Sequence, residues 1–366
     1  MINKNGLVFI ISIILSFIFV QLFVVNAESI QPTLLWEKTF PKEIRDFNMS
    51  DNGERIVVNT EDRIYVLDRK GNMEWQIQAQ EAFDPDTNTS YLAVFKYSTI
   101  SGDGHFVGTF TMSEGVLLYD KFGKKLWNDI QGYGAVYISK NGKTIVIVDD
   151  EEGTIYIKDS SGNLLWQKDI TWFNPVISEN GELIAFHDGI FGRNGNLLWK
   201  FRTYGIPFIS DSGDIILVNE ITDPPTKAFI TLYNRTGEIL WEQDLESGAI
   251  LSRNGQFVLI MVWATKELVL IDKKGKTILK NTSFDLSKNI NISISNNADF
   301  ILIDITDLQQ SQVVLLNKQN QKLWELNMSV SSDAIKISKN GQFLLLGPES
   351  FPGRMLRLYD TGISEK

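Results

Sequence analysis

Past residue 30 the apolar residues fall in short β-branched stretches such as Thr144-Ile-Val-Ile-Val148 and Thr154-Ile-Tyr-Ile157, each bounded by Gly, Asn, Asp or Ser. They have the length and composition of strands, and no segment sustains the 3.6-residue period of an amphipathic helix. The pattern predicts an all-β chain. Only the start differs. Lys4 precedes an apolar run over residues 7–25, broken by Ser12, Ser16 and Gln21 and followed by Asn26-Ala27. A short positive start, an apolar run and a small residue mark an export signal, and the run is also long enough to serve as an uncleaved anchor. The division is therefore a signal peptide or N-terminal membrane anchor at 1–27 and a single domain at 28–366. That domain is placed as secreted or extracytoplasmic, tethered through the N-terminal segment if that segment is kept.

Self-similarity organises everything after the signal. Ser-x-x-Gly recurs at Ser50, Ser101, Ser139, Ser178, Ser210, Ser252 and Ser338, and Ser295 to Ala298 is the same site without its Gly. The repeat is roughly 41 residues long. A second mark, Asp or Asn three residues before Gly, leads to an indole: Asp68 to Trp75, Asp120 to Trp127, Asp159 to Trp166, Asn234 to Trp241. Gly192 leads to Trp199 and Asn317 to Trp324, while Asp272 leads to Leu279 in place of Trp. Asn-Gly supplies the positive φ of a tight hairpin, and Asp-x-x-Gly achieves the same with a side-chain cap and a left-handed Gly.

Each unit thus reads as four antiparallel strands, A to D, with Ser-x-x-Gly between A and B and Asp-x-x-Gly between C and D. Four strands in about forty residues is the pattern of a β-propeller blade. Trp36, Trp75, Trp127, Trp166, Trp199, Trp241 and Trp324 are assigned a structural role at blade edges, against the next blade. The last unit stops without a D strand, and Thr33-Leu-Leu-Trp36 at the other end matches Leu164-Leu-Trp166. The expected fold is an all-β, eight-bladed propeller of four-stranded antiparallel blades, closed by an N-terminal strand that completes the last blade.

The recurrent Asp-x-x-Gly-x-Leu-Leu-Trp strand and the closing N-terminal strand resemble the PQQ-like repeat, the quinoprotein-type, WD40-like propeller family, over nearly the whole mature chain. The resemblance implies either a quinoprotein dehydrogenase or a non-enzymatic scaffold, such as the propeller lipoprotein of outer-membrane protein assembly. Many of the dehydrogenases use a vicinal Cys pair over the quinone, and the lipoprotein needs a lipidated Cys. This chain has no Cys. The scaffold carries over, and the PQQ site does not.

Composition narrows the chemistry further. Without Cys there is no disulfide framework and no thiolate metal centre, and two His leave little for a multi-His site. The net charge of −10 argues against nucleic acid, which needs a basic face. No cofactor and no catalytic or metal residues are assigned. His187-Asp188 at a strand end and His105 within a B strand are read as structural histidines. Asp84-x-Asp86-x-Asn88 opens like a calcium loop, but Thr89 replaces its Gly and Phe95 stands where a bidentate Glu belongs. Asp149-Asp-Glu-Glu152 is read as a solvated B–C loop.

Antiparallel strands put A–B and C–D turns on one face and B–C loops with D-to-A connections on the other. The long segments, 76–96, 221–227, 306–312 and 347–354, all fall on this second, loop face, as binding insertions in repeat proteins do. Tyr133, Trp172, Tyr204 and Trp263 lie there too and are the candidate partner-binding residues. Six Asn-x-Ser/Thr sequons make a glycoprotein possible in an exported chain, with Asn88 the most accessible. The favoured function is an exported, non-catalytic scaffold for a protein or cell-surface glycan partner, with the membrane touched only through the N-terminal segment. The alternative is a small-ligand, glycan-binding or enzymatic propeller using the central channel.

Overall fold

The computed structural model describes residues 32–84, 88–92, 94–130, 134–169, 175–222, 227–244, 247–284, 289–295, 297–306, 310–328, 335–348 and 353–362. Among them every regular element is a strand. The β-branched runs pair as antiparallel neighbours in sequence order, giving six four-stranded sheets over 95–129, 136–169, 176–200, 205–244, 247–281 and 289–328. The strands of each are called A to D in chain order.

A seventh sheet holds seven strands and joins the two ends of the chain. Its centre is β1 (Thr33–Met49), which pairs on one side with β2 (Arg55–Thr60), followed by β3 (Arg63–Asp68) and β4 (Met73–Gln78). On the other side β1 pairs with Gly353–Asp360, from Thr33 opposite Asp360 to Ile44 opposite Gly353. The strands Phe343–Leu346 and Ile335–Ile337 complete the sheet. The N-terminal strand therefore caps the C-terminal strands, and one long strand covers two edges that would otherwise be open.

Two of the expected loops are partly strand. Within 76–96, β4 runs to Gln78 and is followed by a separate hairpin, β5 (Glu81–Asp84) with β6 (Thr89–Leu92). Asn88 sits at φ 53°, a value Asn tolerates, and this lets the chain reverse there. Within 221–227, the strands Ile215–Thr222 and Lys227–Asn234 extend the sheet past its neighbours and leave four residues between them. His105 lies in an A–B turn just before its B strand, with Nδ1 3.2 Å from Asp103.

The core lies between sheets. Strands B and C are buried along most of their length, and each apolar cluster is shared by consecutive sheets. Val57, Ile64 and Val66 pack on Val107, Leu117 and Tyr119 of the next sheet, and Leu183, Ala185 and Ile190 pack on Ile216, Val218 and Tyr233. The same seam closes the ring, where Phe47, Ile56 and Leu67 meet Phe343, Leu345 and Leu358. A fully buried Leu or Ile contributes about 2 kcal/mol, so these seams hold the sheets side by side.

The indoles follow one rule. Just before Trp75, Trp127, Trp166, Trp199 and Trp241 the C–D register shifts by a β-bulge. The extra residue turns the indole out of its own sheet. Trp75, Trp127, Trp166 and Trp199 then lie on the C–D turn glycine of the next sheet, with the ring N–H donating to the carbonyl two residues before that glycine; Trp241 stands further from Gly275, and its ring N–H has no partner among the described residues. Trp75 donates to Lys121 at 3.0 Å and covers Gly123, and Trp166 donates to Arg193 at 2.9 Å and covers Gly195. Trp36 makes the same contact across the ends of the chain, donating to Arg69 at 2.8 Å over Gly71. A Cβ on Gly123 would stand 2.8 Å from the Trp75 ring.

One position breaks the rule on both sides at once. In the 289–328 sheet the turn residue is Asn320, at φ 64°, and the preceding sheet offers Leu279 in place of an indole. Asn281 Nδ2 donates to Asn320 Oδ1 instead. An indole needs a bare backbone beneath it, so the two losses belong together.

Gly123→Ala is expected to lower the free energy of unfolding by about 3 kcal/mol, from the left-handed backbone and the collision with Trp75. Gly275→Ala, whose Cβ would stand 4.0 Å from Trp241, is expected to cost about 1 kcal/mol from the backbone alone. Chemical denaturation of the two variants checks the difference, and equal losses would remove the indole from the explanation.

Candidate functional site: the central channel and the loop face

The A–B turns of the different sheets converge on the axis of the molecule. Each is held by its Ser, whose buried hydroxyl accepts the amide five residues on: Arg55 on Ser50 at 3.0 Å, Leu183 on Ser178 at 3.0 Å, Phe343 on Ser338 at 2.8 Å. The residue after each Ser then reaches a neighbouring turn through the backbone. Asp51 donates to Gly102 at 3.0 Å, Glu179 to Asp211 at 3.2 Å, Asp211 to Arg253 at 2.7 Å, and Lys339 to Asp51 at 2.9 Å.

The side chains at the same column form an ion cluster across the axis. Lys339 is paired with both Glu179 and Asp211. Lys140 lies 3.2 Å from Glu179 and 3.9 Å from Asp51, and Arg253 lies 3.7 Å from Asp211 and 3.9 Å from Asp51. Three acids meet three bases. Burial acts to raise the Glu179 carboxyl, but Lys339 and Lys140 outweigh it and hold it below its usual range. Burial keeps Asp211 above its usual range, with Lys339 and Arg253 offsetting only part.

This cluster floors a cavity of about 510 Å³ along the axis. Glu179, Asp211, Arg253 and Lys339 line it at the turn face, and its walls are apolar, from Tyr137, Ile177, Phe208, Ile250, Ile292 and Ile337 of the A strands. None of the floor residues was singled out from sequence. The signal was present: the position after each Ser is charged in six of the turns, but its sign varies, so no consensus residue marks it.

On the loop face the sequence-predicted residues separate. Tyr133 and Trp172 lie outside the described residues. Tyr204 follows the D strand of the 176–200 sheet and is 68 % exposed; Trp263 follows a B strand in 247–281 and is 50 % exposed. Ile206 and Ile221, also more than half exposed, lie beside Tyr204, whose carbonyl accepts the Ile221 amide at 3.1 Å. Tyr204 and Trp263 therefore sit on the same face of sheets separated by one, with an apolar patch between strands A and B of 205–244. Sequence reading missed Ile206 and Ile221 because the A and B strands lengthen there.

Behind Tyr204, the His187 ring lies 5.1 Å away, centre to centre. His187-Asp188 is the two-residue turn between Leu183–Phe186 and Gly189–Gly192. Burial lowers the His187 pKa, Asp188 pulls it back, and Lys168, 3.4 Å from Asp188, lowers it again. The neutral imidazole is thus favoured under a tyrosine, and among the described residues no hydroxyl is bonded to its Nδ1. Arg202, between these sheets, pairs with the fully buried Glu220 at 2.8 Å, and Tyr233 donates to Glu220 at 2.9 Å. Burial and the Glu220 charge push the Tyr233 phenol up to about 12. The Arg202, Tyr233 and Glu220 bonds lock the patch to the core. Among the described residues no group of three or more His, Asp or Glu could hold a metal ion.

No protein-family model and no curated protein matches the chain. Solved structures do. BamB from Moraxella catarrhalis is 14 % identical with a TM-score of 0.63, over 90 % of this chain and 100 % of that one. A Dos1 propeller is 12 % identical at 0.60 over 94 % and 98 %, and a eukaryotic initiation factor is 11 % identical at 0.60 over 88 % and 87 %. At these identities the likeness is one of fold, and the fold is a β-propeller.

Lys339→Met removes the cation between Glu179 and Asp211 and is expected to cost about 2 kcal/mol at neutral pH. The lowered Glu179 pKa means its ionised form stabilises the fold above the unfolded value and loses that contribution as pH falls. Asp211, raised, opposes folding when ionised and ceases to on protonation. The deficit of the variant should therefore shrink as pH falls below the ordinary carboxylate range and the two carboxyls become protonated. A deficit independent of pH in thermal unfolding would show that Lys339 acts through packing.

Proposed function

We propose that the chain is an exported, non-catalytic propeller scaffold of the PQQ-like kind that holds a protein partner on its loop face. The seven-stranded sheet counts as two blades sharing β1, which with the other six sheets makes an eight-bladed ring. Residues 1–27 act as signal or anchor, and the domain works outside the cytoplasm. The observation that carries the partner reading is the exposed apolar patch of Tyr204, Ile206 and Ile221, with Trp263 on the adjoining sheet. Aromatics of this kind supply much of the energy at protein interfaces.

The charge around the patch gives the partner a sign. The loop-face hairpin tips carry Glu61-Asp62, Glu114, Asp150-Glu151-Glu152 and Asp188, against Lys266 alone among the described tip residues. The partner surface is cationic with an apolar centre, and its approach is electrostatically steered. A second reading, a small amphiphile in the central channel, is favoured by the apolar cavity with its charged floor. The aromatic patch lies outside that cavity and has no role in it.

A photo-crosslinker at position 204 or 263 in the host's envelope should capture one protein in common, and a crosslinker at Ser161 on the opposite face should not. Tyr204→Ser with Trp263→Ser should weaken that complex at least tenfold by slowing nothing but its retention, while Asp150→Lys with Glu151→Lys slows association and flattens its salt dependence. Unchanged binding in both variants would move the site to the channel.

A further inference from the structure

The charges of this acidic chain differ between its B–C tips and its C–D turns. The C–D turns, on the face opposite the aromatic patch, carry Arg69-Lys70, Lys121 with Lys124, Arg193, Arg235, Lys273-Lys274 with Lys276, and Lys318. The carboxylates in these turns are folded back on their own hairpins: Asp68 accepts the amides of Lys70 and Asn72, and Asp272 those of Lys274 and Lys276. Lys124, Lys273, Lys274 and Lys276 make no side-chain hydrogen bond or ion pair with a described residue. Arg69, Arg235 and Lys318 are paired with Glu54, Asp214 and Asp299 of the A–B turns, and the four lysines stand at the rim of the turn face, outside the neutral ion cluster at the axis.

Alkyl and aromatic groups are interleaved with them. Phe122, at the tip of its turn, is 74 % exposed, with the Lys121 amine 5.1 Å from its ring centre. The D strands begin at this rim, and the bulge before each indole leaves their first apolar residues outside the sheet. Leu34, Leu35, Leu197, Leu198 and Leu240 are each more than 40 % exposed. The chain also enters the fold here, since β1 starts at Thr33 opposite Asp360. The apolar run over residues 7–25 is therefore tied by a few residues to this rim and not to the acidic face.

We propose that the turn-face rim docks on the surface of an anionic lipid bilayer, with the lysines among the headgroups and Phe122 and the rim leucines at the interface. The acidic loop face then points away from the lipid. The inference stands apart from the loop-face partner and from whether residues 1–27 are retained. A basic surface with interleaved apolar side chains binds anionic membranes through both terms, and each Lys near the surface contributes roughly a fivefold factor. A polyanion such as RNA would use the lysines but has no need of a rim of leucines.

The chain has no Cys, so single Cys labels report without a background. The full chain carrying Ser161→Cys, at a C–D turn, is labelled with a fluorophore and reconstituted into vesicles of phosphatidylcholine alone or with phosphatidylglycerol, each with quencher-bearing lipid. Quenching is expected only in the anionic vesicles and lost at high salt, and a label at Glu151→Cys on the loop face stays unquenched in both. Lys273→Gln with Lys274→Gln and Lys276→Gln should weaken the docking about a hundredfold; with tip substitutions that touch no partner, an unchanged thermal unfolding profile confirms the fold. Equal quenching in neutral and anionic vesicles, quenching unaffected by the triple variant, or binding to single-stranded RNA without lipid quenching would overturn the proposal.

Discussion

The fold rests on β1, the strand that is paired along both of its edges. Its first half completes the sheet of the C-terminal strands and its second half begins the sheet of β2 to β4. Without it, Gly353–Asp360 and β2 would each present a row of unpaired amides, and the seam of Phe47 and Ile56 against Phe343 and Leu358 would have no means of staying in register. Every other sheet is flanked by covalent neighbours, so closure is the one contact that chain order does not supply. The cost of bringing the two ends together is one long loop-closure entropy, which grows only slowly with length.

Once closed, the ring is held by a repeated packing rule. Trp36, Trp75, Trp127, Trp166 and Trp199 each cover a neighbour's glycine and donate to its turn, and the bulge before each presents the indole. The rule explains its own exception, because Asn320 cannot lie under an indole and Leu279 does not offer one. At the axis a second rule operates, in which charged residues after each Ser neutralise one another across sheets. Together they make the turn face a fixed chassis and leave the loop face free to vary, which is where the chain lengthens, adds the β5–β6 hairpin and exposes Tyr204 and Trp263.

Much of this was legible in the sequence because repetition multiplies weak signals. One Asp-x-x-Gly turn says little, but the same turn before Trp75, Trp127 and Trp166 fixes strand order and hairpin type. The all-β propeller and the pairing of the N-terminal strand with the C-terminal one followed from that count. What was not legible depends on more than one unit at a time. The ion cluster differs in sign between turns, so it hides as variation. The bulge before each Trp leaves no mark, since Leu-Leu-Trp reads as an ordinary strand. His105 lies in a turn rather than in its B strand because the Ser101 hydroxyl and Asp103 carboxylate both take its amide. The charge difference between B–C tips and C–D turns was missed for a related reason: the two alternate along the chain, so a chain of net charge −10 looks evenly acidic until they are compared set by set.

The fold depends on the ring staying closed, and closure is therefore the claim to test. Native-state hydrogen exchange reads it directly at the amides that bond β1 to Gly353–Asp360. The account predicts that the bonded amides of this ladder exchange only through global unfolding, with the same free energy and denaturant dependence as those of Ile147 and Ile155 deep in the 136–169 sheet. Exchange of the β1 amides at a markedly lower free energy, with the other sheets still protected, would mean that the ring opens on its own and would contradict the account.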